Sequence, residues 1–174
     1  SVKDMQEMLQ AGADKVSLNT AAVENPNLIK QGAEQFGSQC IVLGLDAVRA
    51  SCDDQQRWEV RVRTGNGGGV ATDLDAITWA KQAVELGAGE IVANSIDADG
   101  TQKGYDLDLL KLLSEAVTVP VVASGGAGNL DHLHDALELG KADAVLAASI
   151  FHFGIHRIPE AKEFLLSKGV PIRP

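Results

Sequence analysis

The chain has 174 residues and a formal net charge of −9, with 45% hydrophobic residues, 4% aromatic residues and 18 Gly. That length buries one good core, so residues 1–174 fit a single domain or a large piece of one. So few aromatic rings argue against a stacking platform for single strands, and an acidic chain without a Lys/Arg cluster argues against nucleic acid or an anionic membrane surface as partner.

In chain order, Ser1 with Asp4 three residues on has the form of a capping box, which predicts a helix over 2–11. A strand follows at 15–19, a helix at 25–36 and a second strand at 40–46. Residues 49–72 are too long for an ordinary strand-to-helix loop. The alternation from Trp58 to Arg63, followed by Gly65, Gly67, Gly68 and Gly69, predicts a hairpin excursion with a mobile tip. Helix 73–86, strand 90–95, helix 106–116, strand 119–124, helix 130–139 and strand 143–148 come next, then a short segment at 150–157 and a helix at 158–168. Residues 9–16, 85–92 and 138–145 repeat one pattern, in which a helix closes at Gly, an acidic residue follows and a β-branched run begins. Strands alternating with helices imply an α/β fold with a parallel sheet. Cys40 lies in an apolar run and Cys52 in a polar stretch, which suits a reducing, cytoplasmic compartment. No apolar window is long enough to span a membrane, and no export signal is expected.

Ligands of parallel α/β proteins sit at the C-terminal ends of the strands, and those ends are small or polar here. Asp46 closes the run Ile41 to Leu45, where a partly desolvated carboxylate suits general acid or base work; a helix cap or a turn aspartate fits the position equally. Ser124, Gly125 and Gly126 follow a buried strand and precede a helix, so their amides can approach an oxyanion, and Ala148 with Ser149 forms the other half of such a cradle. Residues 97–106 carry Asp99, Gly100 and Thr101 but miss the calcium-loop spacing, so no metal is expected there. His132, His134, His152 and His156 lack a zinc-ligand pattern, and the first two are expected on a solvated helix. Neither Cys has an activating His near it in sequence.

Residues 13–22, 45–47, 87–91, 99–106, 123–128 and 147–152 together resemble the cyclase subunit of imidazole glycerol phosphate synthase, a (βα)8-barrel enzyme of histidine biosynthesis, over the stretch from Ser1 to Arg173. The resemblance implies an enzyme, a lyase without a cofactor. It takes ammonia from a glutaminase partner and a bis-phosphorylated aminoimidazole carboxamide ribonucleotide, and makes imidazole glycerol phosphate and the released carboxamide ribonucleotide. It implies Asp46 as a catalytic acid/base and Asn94 and Asp99 as residues lining the site. Gly100, Thr101, Ser124, Gly125, Gly126, Ala148 and Ser149 would hold one phosphate, and Asn19 with Thr20 part of the other. Lys15 and Glu90 would ring the ammonia entrance, and Asp14 would touch the glutaminase. A complete barrel takes ~250 residues, so the chain corresponds to about five βα units, strands four to eight, and lacks the family's other catalytic aspartate on the first strand. The expectations are an incomplete barrel, completed by self-association as a homo-oligomer or rearranged to an open flavodoxin-like sheet, and a chain inactive on its own. The sister isomerase of the pathway and a non-catalytic, phosphate-binding half-barrel-like protein are the alternatives.

Overall fold

A computed structural model describes residues 1–50 and 57–173; Cys52 and the first part of the excursion lie outside the described residues. The elements in order are α1 (Val2–Gln10), β1 (Val16–Leu18), α2 (Thr20–Glu24), α3 (Asn27–Phe36), β2 (Ile41–Arg49), β3 (Trp58–Val62), β4 (Val70–Asp75) and α4 (Ala76–Glu85). They continue with β5 (Glu90–Ser95), α5 (Leu107–Ala116), β6 (Val121–Ser124), α6 (Leu130–Glu138), β7 (Ala144–Val145), α7 (Ser149–His152) and α8 (Ile158–Ser167). Most predicted elements are present, and the differences have local causes. The helix expected at 25–36 is α3, starting at Asn27, and the short α2 precedes it outside the expected range; the two are separated because Pro26 has no N–H to donate and forces Asn25 out of helical geometry, at φ −143° and ψ 85°. Helix α4 starts at Ala76, capped by the Asp75 side chain, because residues 70–75 are the return strand of the hairpin. Strand β7 spans two residues where 143–148 were expected. It lies at the end of the strand order, and beyond it a single further bond, Leu146 N–H to the Ala123 carbonyl at 2.8 Å, continues the ladder.

Ser1 caps α1 with Asp4 in a reciprocal capping box. In the repeated helix closures Gly12 and Gly87 take φ of 108° and 111°; in the third copy Lys141 carries the left-handed turn at φ 57°, and Gly140 instead packs where a Cβ would meet the Ala136 carbonyl at 2.7 Å.

The described strands form one sheet in the order β4-β3-β2-β5-β6-β7, with β1 joined to β2. Strand β2 organises it. Its residues 41–43 pair in parallel with β1, its residues 46–49 pair antiparallel with β3, and its residues 42–47 pair in parallel with β5. The parallel strands β1, β2, β5, β6 and β7 therefore stand in chain order and the sheet stays open. This is an α/β fold consistent with part of a (βα)-barrel. The reversed strand order of a flavodoxin-like rearrangement is absent among the described residues, since each crossover sets its parallel strand beside the previous one.

Alternation along the strands separates two faces. Ile41, Leu43, Leu45 and Ala47 of β2, Ile91 and Ala93 of β5, Val121 and Ala123 of β6, and Trp58 and Val60 of the hairpin point to one face and are buried. Leu109, Leu113, Leu133, Trp79 and Ala80 from the helices are buried in the same core. The opposite face carries Val42, Gly44, Asp46, Val92, Asn94, Val122 and Ser124, most of them only half-buried.

Ile91 is fully buried on the middle strand, so Ile91→Ala is expected to destabilise the fold by about 2–5 kcal/mol. Val70→Ala, on an exposed hairpin position, should stay within about 0.5 kcal/mol. Urea unfolding midpoints of the two variants check the contrast.

Candidate functional site

The register aligns Arg61, Asp46, Asn94 and Ser124 side by side across β3, β2, β5 and β6, a polar row on the face away from the helices. Asp46 is half-buried, and three neutral side chains donate to it. Asn94 Nδ2 reaches Oδ1 at 2.9 Å, and Asn19 Nδ2 and Thr64 Oγ1 reach Oδ2 at 2.7 and 2.6 Å. Of the roles open to it from sequence, Asp46 is neither helix cap nor turn residue; it lies within β2 and bonds to side chains of three other segments. Neutral donors orient a carboxylate without cancelling its charge, the condition for a group that must exchange a proton with a bound molecule. Asn19 stands before α2 without capping it; its amide turns to Asp46 instead, and its Oδ1 is buried without a partner among the described residues.

One residue along this row lies the cradle. Asp99, Gly100, Ser124, Gly125, Gly126, Ala148 and Ser149 line one pocket of about 60 Å³, together with Ala127 and Ala147 from the expected stretches 123–128 and 147–152 and with Gln102 and Leu146, which the sequence did not single out. Gly125 and Gly126 take φ of 85° and 107°. A Cβ on Gly125 would meet Asn94 Oδ1 at 2.6 Å, and one on Gly126 would strike the Gly104 carbonyl, so both turns depend on the missing side chains. The 97–105 loop thereby lies directly on the 124–128 turn, and the Gly104 N–H donates to the Gly126 carbonyl at 2.8 Å. Thr101 is not among the lining residues; its hydroxyl donates to the Ala98 carbonyl at 2.7 Å and accepts from the Lys103 N–H, closing its own turn. His132 is half-buried, contrary to the solvated position expected, and accepts the Gly128 N–H at Nδ1, so it braces the cradle turn from behind.

Two clasps hold the surrounding loops. Tyr105 ties the end of the 97–105 loop to the segment after β7, its hydroxyl donating to the Leu146 carbonyl at 2.9 Å, and burial raises its pKa well above the ordinary phenol range. Arg49, at the end of β2, donates its N–H to Asp97 and its guanidinium to Asp108, both at 2.7 Å, and lies 4.8 Å from the centre of the Trp58 ring. Bonding to Asp108 raises the Arg49 pKa, against the effect of its partial burial. Trp58 Nε1 in turn donates to Asp106, the residue that caps α5. Thr20 accepts the Arg63 N–H at 3.0 Å from the hairpin, some way along the chain from the 124–128 cradle.

At the N-terminal ends of the strands, Lys15 and Glu90 form an ion pair at 2.5 Å, and Asp14 beside Lys15 is exposed. Glu90 is register partner to Val42 in β2, and Lys15 directly precedes β1 on that strand's other side. Among the described residues no group of three or more His, Cys, Asp or Glu could hold a metal ion, and no helix is long and apolar enough to cross a membrane.

Thr64, Arg49, Gln102 and Leu146 are the site residues that sequence reasoning missed. Thr64 lies in the turn of the hairpin and Arg49 ahead of its first strand, and the hairpin's return to the strand ends has no short-range signal. Gln102 did carry a signal, since it sits between the glycines of the 97–106 loop.

Tyr105 is the chain's one tyrosine. Because burial raises its folded pKa above that of an ordinary phenol, about 10, its contribution to stability is complete below about pH 10 and is lost as pH climbs from there through the folded value. Ultraviolet titration is expected to show tyrosinate forming at a distinctly higher pH in native than in denatured protein, and Tyr105→Phe should lower stability by about 1–3 kcal/mol by orphaning the Leu146 carbonyl.

Residues 1–157 match the model of the family described as Histidine biosynthesis protein. With an open, mostly parallel sheet whose strand ends carry the polar row and the glycine-lined pocket, and a match spanning most of its length, the chain belongs to this family of histidine-biosynthesis enzymes, which comprises the isomerase and the cyclase of that pathway.

Proposed function

We propose that the chain is a part of the cyclase subunit of imidazole glycerol phosphate synthase, which takes ammonia from a glutaminase partner and a bis-phosphorylated aminoimidazole carboxamide ribonucleotide as substrate, and that by itself it binds this substrate without turning it over. The observation that carries this reading is the adjacency of Asp46 to the glycine-lined pocket through Asn94, whose Nδ2 donates to Asp46 and whose Oδ1 abuts Gly125. A phosphate seated against Gly100, Gly125, Gly126, Ala148 and Ser149 puts the rest of a ribonucleotide over the polar row, within reach of Asp46. Asp46 then serves as general acid/base in ring closure, and Asn94 and Asp99 hold the substrate. Asn19 and Thr20, at the start of α2, serve the second phosphate. The Lys15–Glu90 pair at the opposite ends of the strands favours the cyclase over the isomerase, because an entrance for ammonia needs polar groups there and an isomerase does not. Asp14, Lys15 and Glu90 form the face offered to the glutaminase.

Calorimetric titration with the bis-phosphate substrate tests the reading first, followed by assay of product with saturating ammonium salt. Ser149→Asp, which sets a carboxylate in the pocket, is expected to weaken binding at least about tenfold, whereas Asp46→Asn should leave it within about threefold. Binding without turnover is the expected result for this chain by itself. Ammonium-dependent turnover would mean that a second carboxylate such as Asp99 is recruited. Conversion of a bis-phosphate substrate without ammonia would identify the isomerase, and no binding would sink both readings.

The outer edges of β1 and β7 are free of strand partners among the described residues, and an apolar groove lined by Val122, Val145, Leu146, Phe151, Ile158 and Leu165 runs beside β7. Pairing of these edges between copies is the proposed route to a homo-oligomer. Sedimentation should show a species larger than the 18.3 kDa monomer, and a monomer at all concentrations would refute it.

A further inference from the structure

Thr64 is the one donor to Asp46 that comes from the hairpin rather than from the parallel strands or the segment directly following them. It opens the turn between β3 and β4, and the residue before it anchors that turn firmly. Arg63 sits in the left-handed region at φ 55°, its N–H donates to Thr20 Oγ1 at 3.0 Å, and its Nη2 reaches Glu24 Oε1 at 2.7 Å. A non-glycine residue in that conformation costs free energy and persists where neighbouring contacts overdetermine it. Two bonds to α2 do so here, and their effect is to place the Thr64 hydroxyl on the carboxylate.

A carboxylate offers about four acceptor positions, two on each oxygen. Among the described residues, Oδ2 of Asp46 takes both Asn19 and Thr64, while Oδ1 takes Asn94 alone. Among these partners one position is left, on Oδ1, the oxygen facing Asn94 and hence the glycine-lined pocket. We infer that Thr64 is a positioning residue for Asp46: by filling Oδ2 it fixes the rotation of the carboxylate and leaves Oδ1 as the atom that meets the substrate. The inference rests on the reading of Asp46 as acid/base, and it adds which oxygen acts and what the hairpin contributes. Without the hydroxyl the carboxylate is held at two points, both amides, and gains freedom to turn.

Carbon-13 NMR of aspartate-labelled protein tests this without relying on activity. In Thr64→Val, which keeps the shape and removes the donor, the Asp46 carboxyl resonance is expected to move, and in Thr64→Ser to return to its wild-type position. Equal urea midpoints of the three proteins show that the change is local. On adding the bis-phosphorylated ribonucleotide to wild-type protein, the Asp46 resonance should move again while the Thr64 methyl signal stays in place. An Asp46 resonance indifferent to Thr64→Val, or a ligand that shifts the Thr64 signal together with it, would overturn the inference. If the ribonucleotide does not bind, the functional reading fails, and the ligand-free comparison of the three proteins still decides whether Thr64 sets the carboxylate.

Discussion

Alternation along the parallel strands is the constraint on which everything else depends. Because successive side chains point to opposite faces, the residues that fill the core under the helices fix, one position later, which residues face the other way. Leu45 and Ala47 are buried, so Asp46 between them faces away from the helices; Ala93 does the same for Asn94 and Ala123 for Ser124. A slip of one residue in any of these strands would bury a carboxylate, an amide or a hydroxyl in an apolar layer. Hydrophobic packing on one side of the sheet thus positions the polar row on the other.

The row and the pocket are mechanically one unit. Gly125 and Gly126 let the 97–105 loop lie on the 124–128 turn, and the same approach brings Gly125 against the Asn94 amide that holds Asp46. Anything that lifts the turn therefore disturbs both the pocket and the carboxylate. Tyr105 and His132 brace this arrangement from two sides, one tied to the Leu146 carbonyl and the other to the Gly128 N–H. Membership in the histidine-biosynthesis family gives that geometry its chemical setting.

The hairpin adds a second layer of control. It pairs with the far half of β2, where β1 no longer runs, and so occupies the edge that the short first strand leaves open. Arg49 with Trp58, Asp97, Asp106 and Asp108 fastens its base, and Arg63 with Glu24 and Thr20 fastens its turn. Clasped at both ends, the hairpin can present a single hydroxyl to a single oxygen.

The sequence by itself determined the alternation of strands and helices, the capped start of α1, the helix closures and the chemical character of each strand end, because these follow from local periodicity and from residues with special backbone preferences. Six short stretches in one order were enough to point to the family. What only the tertiary structure decided is which of those residues meet. That Asn19 and Asn94 converge on Asp46, that Thr64 joins them, and that β7 shortens at an open edge all depend on contacts between segments distant in the chain. Local pattern carries no information about a hydrogen bond closed between residues eighteen or more positions apart, whereas the register of a sheet fixes such bonds once the strands are paired.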